Sequence, residues 1–330
     1  MRLIDRIWYG NSLLAYFLLP LTGIFFLLSL FRRAAYRSGM LKVRHLDVPV
    51  IVVGNITVGG TGKTPLVVWL ADYLKTKGYR PGIISRGYGG KARIWPQQVR
   101  PDSDPRAVGD ESILLSRRTG CAMAVGPDRY QAGKALLENS DCDILISDDG
   151  LQHYGLGRDV EIAVIDGRRR FGNGYLLPAG PLREGTWRLD YVDIKIANGP
   201  TTFDECSMKI RRGQLVSMGA EGSHALSDFA GKQVHAVAGI GNPEQFFQLL
   251  KDNGLDIVEH TFDDHHAFEK NDVVFGDDLP VVMTEKDAVK CQYFSGDGYW
   301  FLQVCAQPEA RFVQEFYDLL EDMKDGQETA

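Results

Sequence analysis

The sequence predicts an α/β protein in three parts: an apolar N-terminal helix within residues 1–40, a parallel-sheet core over residues 41–200 and a smaller α/β domain over residues 201–330. Two observations predict the core. Apolar runs alternate with helix-like stretches between Val48 and Asp166, which is typical of a parallel sheet covered by helices. Each run ends in a polar or glycine-rich turn, and open α/β sheets bind their ligands at such strand ends.

The N-terminal part is a run of nineteen uncharged residues, 13–31, dominated by Leu and Phe. A helix needs about 20 apolar residues to cross a bilayer, so we predict a membrane helix that spans the bilayer or lies in its interface. A signal peptide fits less well because Arg32 and Arg33 follow, and a buried core helix remains an alternative. Five basic residues follow the run and two precede it, which predicts a cytoplasmic location for the remainder of the chain.

A glycine-rich run over residues 54–64, GNITVGGTGKT, lies between a strand-like and a helix-like segment. This context is the one that a phosphate-binding loop (P-loop) requires, and the core is therefore predicted to be of the P-loop NTPase type. A plain glycine turn is the alternative. The predicted ATP-binding residues are Thr57, Val58, Gly59, Gly60, Thr61, Gly62, Lys63 and Thr64.

Within this loop, Lys63 is expected to reach the β- and γ-phosphates, and the Thr64 hydroxyl is expected to bind Mg²⁺. Thr57 occupies a position where the general P-loop pattern has glycine.

Acidic residues follow or precede several of the predicted elements. Asp148 ends an apolar strand, where a P-loop protein places the carboxylate that holds Mg²⁺, and Asp149 would face the metal or the transferred group. Asp110 and Glu111 precede a helix, either for the helix dipole alone or as a base that accepts a proton from an attacking hydroxyl. For Asp148 and Asp149, a solvated turn at the strand end is the alternative.

Other polar segments are less specific. Residues 177–184 form a stiff turn that delivers Arg183 and Glu184, and residues 262–268 contain two histidines between acids, which are often only surface residues. The net charge of −6 does not favour nucleic-acid binding, and five scattered cysteines suggest neither zinc nor disulfides. Candidate phosphate-binding arginines are Arg86, Arg129, Arg168 to Arg170 and Arg183.

Taken together, these motifs resemble the tetraacyldisaccharide 4′-kinase family, the lipid A 4′-kinases of Gram-negative bacteria. Thr57 departs from the general P-loop pattern and not from this family. The resemblance covers nearly the whole chain. It rests on GNITVGGTGKT (54–64), SRGYGG (85–90), VGDE (108–111), GPDR (126–129), DDGLQH (148–153), LPAGPLRE (177–184), FDDHHAF (262–268) and TEKDAVK (284–290).

The resemblance implies transfer of the ATP γ-phosphate to the 4′-hydroxyl of a tetraacylated glucosamine disaccharide 1-phosphate, giving lipid IVA, at the cytoplasmic side of the inner membrane of a Gram-negative bacterium. ATP and Mg²⁺ are the implied cofactors. The implied partners are the lipid substrate and the membrane surface, with no nucleic acid and no obligate protein partner.

The resemblance also implies roles for individual residues. Asp110 would accept the hydroxyl proton with His265 as its partner across an interdomain cleft, although His266 is an alternative to His265. Gln152, His153 and Glu184 would line the active site. The implied catalytic residues are Asp110, His265, Lys63, Asp149 and Arg183, and the implied metal ligands are Thr64, Asp148 and Glu111.

Other functions remain open at this point. A membrane-tethered ATPase that drives a partner protein is the main alternative. A soluble small-metabolite kinase would leave the apolar helix unexplained. A GTPase is not supported because residues 284–287 read Thr-Glu-Lys-Asp, an order that differs from the guanine-specific motif.

Overall fold

A computed structural model describes residues 3–10, 12–202, 204–219, 222–264, 266–294 and 296–328 of the chain. Across these residues, thirteen strands form one sheet. The strands are β1 (Val50–Gly54), β2 (Pro81–Ser85), β3 (Gln97–Val99), β4 (Met123–Val125), β5 (Ile144–Asp148), β6 (Val160–Asp166), β7 (Ile194–Asn198), β8 (Cys206–Ser217), β9 (Ser223–His224), β10 (Gln233–Ala238), β11 (Asp256–Thr261), β12 (Val281–Thr284) and β13 (Tyr299–Pro308).

The helices lie between these strands and at both ends of the chain. Two short 3-10 helices, Thr186–Tyr191 and Leu226–Phe229, accompany them. The α-helices are α1 (Leu3–Tyr9), α2 (Leu14–Arg37), α3 (Lys63–Thr76), α4 (Pro105–Val108), α5 (Asp110–Thr119), α6 (Arg129–Leu137), α7 (Pro243–Asp252), α8 (Lys270–Val273), α9 (Glu285–Cys291) and α10 (Ala310–Glu328).

The strand order is β11-β10-β12-β13-β8-β7-β6-β1-β5-β2-β4-β3, and β9 pairs with β8. Most neighbours are parallel, whereas β3 with β4, β8 with β13 and β8 with β9 are antiparallel. The predicted α/β class with a parallel-rich sheet is confirmed. The predicted boundary near residue 201 falls between β7 and β8, which pair in parallel, so the sheet continues across it.

The core is buried on both faces of the sheet, because β1 is covered from either side. Ile51 and Val53 belong to the apolar cluster beneath α3, α5 and α10, while Val50 and Val52 belong to the cluster beneath α6. Parallel strands covered by helices on both faces read as continuous apolar runs, as this one does. The last helix, α10, packs Phe312 against Trp69 of α3 with ring centroids 5.6 Å apart.

The N-terminal apolar helix is present as α2 and stands largely outside the core. Its best 18-residue window has a mean hydropathy of 2.2 and is 11% buried. Ala15, Thr22 and Ala35 are its buried residues. Thr22 attaches the helix, since its hydroxyl donates to the Leu176 carbonyl at 3.3 Å and accepts from the Ala179 amide at 3.1 Å. The alternative of a buried core helix is therefore wrong.

Two glycines flank α5 with left-handed backbone. Gly109 has φ of +89°, and a Cβ there would collide with the Tyr88 carbonyl because the turn over residues 87–90 packs directly against it. Gly120 has φ of +61° with open space around the Cβ position. Only Gly109 is thus constrained by both conformation and contact.

This difference predicts unequal costs for two alanine substitutions. Gly120→Ala should lower the free energy of unfolding by about 1–2 kcal/mol, the cost of a left-handed Ala. Gly109→Ala should cost clearly more, because the Tyr88 carbonyl must also move. Urea unfolding of both variants measures the difference, and equal costs would contradict the packing described for this turn.

Candidate functional site

The glycine-rich loop connects β1 to α3, as its motif requires. Gly62 is the N-cap of α3 with φ of +97°, and Lys63 is its first residue. A Cβ at Gly62 would lie 3.1 Å from Asn198 Nδ2, which donates to the Thr61 carbonyl at 3.4 Å. Gly59 and Gly60 are exposed. The exposed turn and the helix N-terminus together form a suitable anion-binding site.

Thr57 has a structural explanation. It is 5% exposed and forms an antiparallel bridge with Leu182. On either side, the Val58 amide donates to the Pro181 carbonyl at 2.8 Å, and the Arg183 amide donates to the Ile56 carbonyl at 2.7 Å. The first part of the loop is therefore a short extended segment, which does not need the conformational freedom of glycine.

This pairing brings Arg183 to the strand ends. Arg183 Nη1 lies 3.0 and 2.9 Å from the two carboxylate oxygens of Asp149, and Lys63 Nζ lies 3.5 Å from the same carboxylate. Burial raises the pKa of Asp149, but Lys63 and Arg183 outweigh it and the net pKa is lowered. Asp149 has φ of +49°, a conformation that costs about 1 kcal/mol and persists only where surrounding contacts fix it.

Asp148 ends β5 and is 3% exposed. Its Oδ2 accepts from the Ser85 hydroxyl at 3.3 Å, and its Oδ1 is buried without a hydrogen-bond partner among the described residues. Burial, together with Glu111 and Asp149, raises the pKa of Asp148 to about 7. A buried carboxylate oxygen of this kind fits a cation ligand.

The acidic residues at the strand ends fit a magnesium site whose ligands come partly from the protein and partly from the bound phosphates. Mg²⁺ usually binds one or two carboxylates together with substrate phosphates instead of a cage made wholly of protein. In the described part of the chain, no group of three or more His, Cys, Asp and Glu residues forms such a cage. Asp148 pairs with Val53 at the end of β1, directly before the phosphate loop. A metal ion there would bind both the Asp148 carboxylate and the phosphates.

A second set of contacts fixes the turn after β5 to the Arg183 loop. Gln152 Nε2 donates to the Asn55 carbonyl at 3.0 Å and to Glu184 Oε2 at 2.8 Å. The Tyr154 hydroxyl donates to Glu184, and burial together with that carboxylate raises the pKa of Tyr154 to about 12. Glu184 is 7% exposed, so it acts here as a buried acceptor that holds the two loops together.

The candidate arginines separate into different environments. Arg129 is 3% exposed and donates to the carbonyls of Gly126 and Asp148 at 3.0 and 3.4 Å. Burial lowers its pKa to about 10. Arg170, in contrast, forms a bidentate pair with Glu205 at 2.7 Å for both bonds. Arg170 is thus engaged elsewhere, whereas Arg129 and Arg183 lie at the strand ends.

Asp110 and Glu111 open α5 beside this cluster. Asp110 is 6% exposed, and its Oδ1 accepts from the Glu111 amide at 2.9 Å. Glu111 Oε1 accepts from Lys286 Nζ at 3.0 Å, and the same ammonium lies 3.6 Å from Asp264. Burial alone would lower the pKa of Lys286. The negative charges of Glu111, Asp110 and Asp264 have the larger effect together, so the pKa of Lys286 is raised.

No role for Lys286 was predicted from the sequence. Its only sequence signal was its place in the TEKDAVK motif over residues 284–290.

The two histidines of the predicted pair differ in what the structure shows of them. His265 lies outside the described residues. His266 Nε2 lies 2.9 Å from Asp272 Oδ2. Its ring packs with those of Phe262 and Phe268, with ring centroids 4.8 and 4.9 Å away, which is a packing role.

Comparison with known proteins agrees with this geometry. The model of the family described as "Tetraacyldisaccharide-1-P 4′-kinase" matches residues 14–321. The chain belongs to this family. Among its relatives, the tetraacyldisaccharide 4′-kinase of Nitrosococcus oceani is 51% identical over 321 residues, covering 97% of this chain and 94% of the relative. That of Alkalilimnicola ehrlichii is 50% identical over 296 residues, 89% of each chain.

A solved structure is similar as well. The crystal structure of LpxK from Aquifex aeolicus in complex with ATP has a TM-score of 0.81 and 29% sequence identity, and the match covers 93% of this chain and 99% of that one. The family inferred from the motifs and the kinase class are thereby confirmed. A membrane-tethered ATPase that drives a partner protein is not favoured by these comparisons.

His153 provides a test of the buried environment behind the site. Its Nε2 accepts from the Arg129 amide at 3.2 Å, so the ring is neutral there. Burial, followed by the Arg129 charge, lowers its pKa from 6.5 to about 4. Between pH 6.5 and about pH 4, His153 binds a proton in the unfolded chain but not in the folded chain. This residue therefore lowers the free energy of unfolding as the pH falls through that range.

We therefore expect His153→Gln, which keeps an acceptor for the Arg129 amide, to weaken the acid sensitivity. The urea midpoint of the wild type should fall more between pH 7 and pH 5 than that of the variant. The urea midpoint of each protein at pH 5 is compared with its own midpoint at pH 7. This comparison removes the loss of stability that the substitution causes at every pH. Parallel losses in the two proteins would show that His153 is not held neutral.

Proposed function

We propose that this protein transfers the γ-phosphate of ATP to the 4′-hydroxyl of a tetraacylated glucosamine disaccharide 1-phosphate, giving lipid IVA. One observation supports the proposal most strongly: the backbone pairing of its loop with the phosphate loop brings Arg183 to Asp149, the carboxylate that Lys63 also contacts. Phosphoryl transfer depends mainly on positioning and on stabilising negative charge, which this cluster of cations at a helix N-terminus provides.

In the proposed reaction, Asp110 accepts the proton of the 4′-hydroxyl as its oxygen bonds to the γ-phosphorus, and the bond from that phosphorus to the β-phosphate oxygen breaks to release ADP. The amides of residues 59–64 bind the phosphates, since the Val58 amide already donates to the Pro181 carbonyl. Lys63 and Arg183 stabilise the charge on the transferred group, and Asp149 orients both cations. His265 is proposed as the partner of Asp110, and the part after residue 201 is proposed to close over the site.

Thr64, Asp148 and Glu111 are the proposed ligands of Mg²⁺, which would neutralise phosphate charge when it is bound. Asp148 Oδ1, which has no hydrogen-bond partner among the residues that the structure describes, supports this choice. Glu111 Oε1 accepts from Lys286 Nζ, so Glu111 would bind the metal through its other carboxylate oxygen.

The proposal is tested by incubating the full chain with labelled ATP, Mg²⁺ and a panel of acylated glucosamine disaccharides. Label should move to the lipid that carries a free 4′-hydroxyl and not to one in which that hydroxyl is blocked. Release of inorganic phosphate alone, with every lipid unlabelled, would refute the proposal.

The base assignment has its own test. Asp110→Asn should leave ATP binding largely unchanged while turnover falls by a factor of about 10² to 10⁴, the usual contribution of general-base catalysis. Asp102→Asn, at an exposed aspartate outside the site, is the matched control. Wild-type turnover in the Asp110 variant would move the base to another residue.

We further propose that α2 holds the enzyme at the cytoplasmic side of the inner membrane. Its exposed face includes Phe17, Leu28 and Phe31, which are 80%, 65% and 68% exposed. At the basic end of the helix, the Arg33 guanidinium lies 4.0 Å from the Trp187 ring centroid. Arginine and tryptophan are typical of the membrane interface.

The anchor is tested best by substitution. Deletion of α1 and α2 would also remove the Trp8 bond to the Pro178 carbonyl beside the site. Replacing Phe17, Leu28 and Phe31 by Ser should release the protein from phosphatidylethanolamine–phosphatidylglycerol vesicles in a sedimentation assay, since each buried side chain contributes about 1.5–3 kcal/mol.

Ile94→Ser, at a residue that is 75% exposed outside the helix, is the control and should leave vesicle binding unchanged. Equal vesicle binding by the wild type and the triple variant would show that another surface anchors the protein.

A further inference from the structure

Helix α9 begins with two adjacent residues of opposite charge that contact both ends of α5. Glu285 accepts two bonds from Arg118 Nη1, at 3.0 and 2.7 Å, in the last turn of α5. Lys286 Nζ donates to Glu111 Oε1 at 3.0 Å in the first turn. Glu111 and Arg118 are seven residues apart, about 10 Å along one helix face, so α9 holds α5 at two points.

The two ion pairs select one position of α9 along α5. One pair has its acid on α9 and the other has its acid on α5. A shift that exchanged the partners would therefore place Lys286 against Arg118 and Glu285 against Glu111. Juxtaposed like charges are strongly unfavourable. The Glu285–Arg118 pair is shielded from solvent, because its side chains are 10% and 13% exposed, whereas in the second pair Lys286 is 18% and Glu111 is 42% exposed.

The start of α9 is itself fixed. Asp287, which is 0% exposed, accepts from the Gly239 amide at 2.8 Å and from the Thr284 hydroxyl at 2.6 Å. These bonds tie α9 to the turn after β10. Lys286 therefore projects from an anchored backbone, and its ammonium lies between Glu111 of α5 and Asp264 of the segment after β11.

We propose that Lys286 is a positioning residue for phosphoryl transfer, which sets the place of the Glu111 carboxylate and of the first turn of α5, and through that turn the place of Asp110. The Glu285–Arg118 pair holds the register. The inference rests on the proposed function, because Asp110 is the base there. A misplacement of about 1 Å at a reacting group can cost about 10²-fold in rate.

The test compares three substitutions in the full chain. Lys286→Met removes the ammonium and should lower kcat by about 10- to 100-fold, with the KM for ATP changed by less than about two-fold. Lys286→Arg restores a cation and should recover most of the loss.

Lys195→Met is the matched control. Lys195 lies in β7 and pairs with Asp204, and its side chain is 21% exposed, close to the 18% of Lys286. The substitution removes one lysine ion pair, as Lys286→Met does, but away from α5 and α9, so it should leave kcat within about two-fold of the wild type. This control separates positioning from general destabilisation.

Hydrogen exchange provides a readout independent of the reaction. The amides of Glu111 and Ser112 should exchange faster in Lys286→Met and at the wild-type rate in Lys195→Met. If the wild type itself transfers no phosphate to lipid, the proposed function fails, and the exchange rates still decide whether Lys286 holds α5. Wild-type kcat in Lys286→Met, equal kcat losses in the two methionine variants, or unchanged exchange at the start of α5 would overturn the inference.

Discussion

The site depends on one short backbone pairing, that between the phosphate loop and the segment over residues 181–183. Two hydrogen bonds, from Val58 to Pro181 and from Arg183 to Ile56, place the Arg183 side chain against Asp149, whose carboxylate Lys63 also contacts. Because main-chain bonds fix this register, the guanidinium is positioned before any ligand arrives. Preorganised charge of this kind is the most effective contribution that a protein makes to phosphoryl transfer.

The same segment also connects the site to the apolar helix. Thr22 of α2 bonds to Leu176 and Ala179, a few residues before Arg183. The part of the molecule best suited to lipid is thus attached to the loop that carries Arg183. A substrate with acyl chains in the bilayer and a sugar at its surface would meet both at once, which is consistent with the family to which the chain belongs.

Local features of the sequence predicted much of this arrangement. The phosphate loop, the turn after β5 and the apolar helix each carry their signal within about 20 residues, so periodicity and motif spacing were sufficient. Contacts between distant residues were not predictable. Glu111 and Lys286 are 175 residues apart, and Thr57, which stands where the usual pattern has glycine, pairs with the distant Leu182. Arginine chemistry alone did not distinguish Arg170, which pairs with Glu205, from Arg183, which was singled out by the motif over residues 177–184.

The narrow attachment of α2 has a practical consequence. Only small residues, Ala15, Thr22 and Ala35, are buried, so most of the helix circumference is left for an apolar environment. Taken out of lipid, that surface will be covered by detergent or by the helix of another molecule. The particle size measured after extraction will therefore depend on the detergent chosen, and assembly states observed in its absence describe the exposed helix instead of the enzyme.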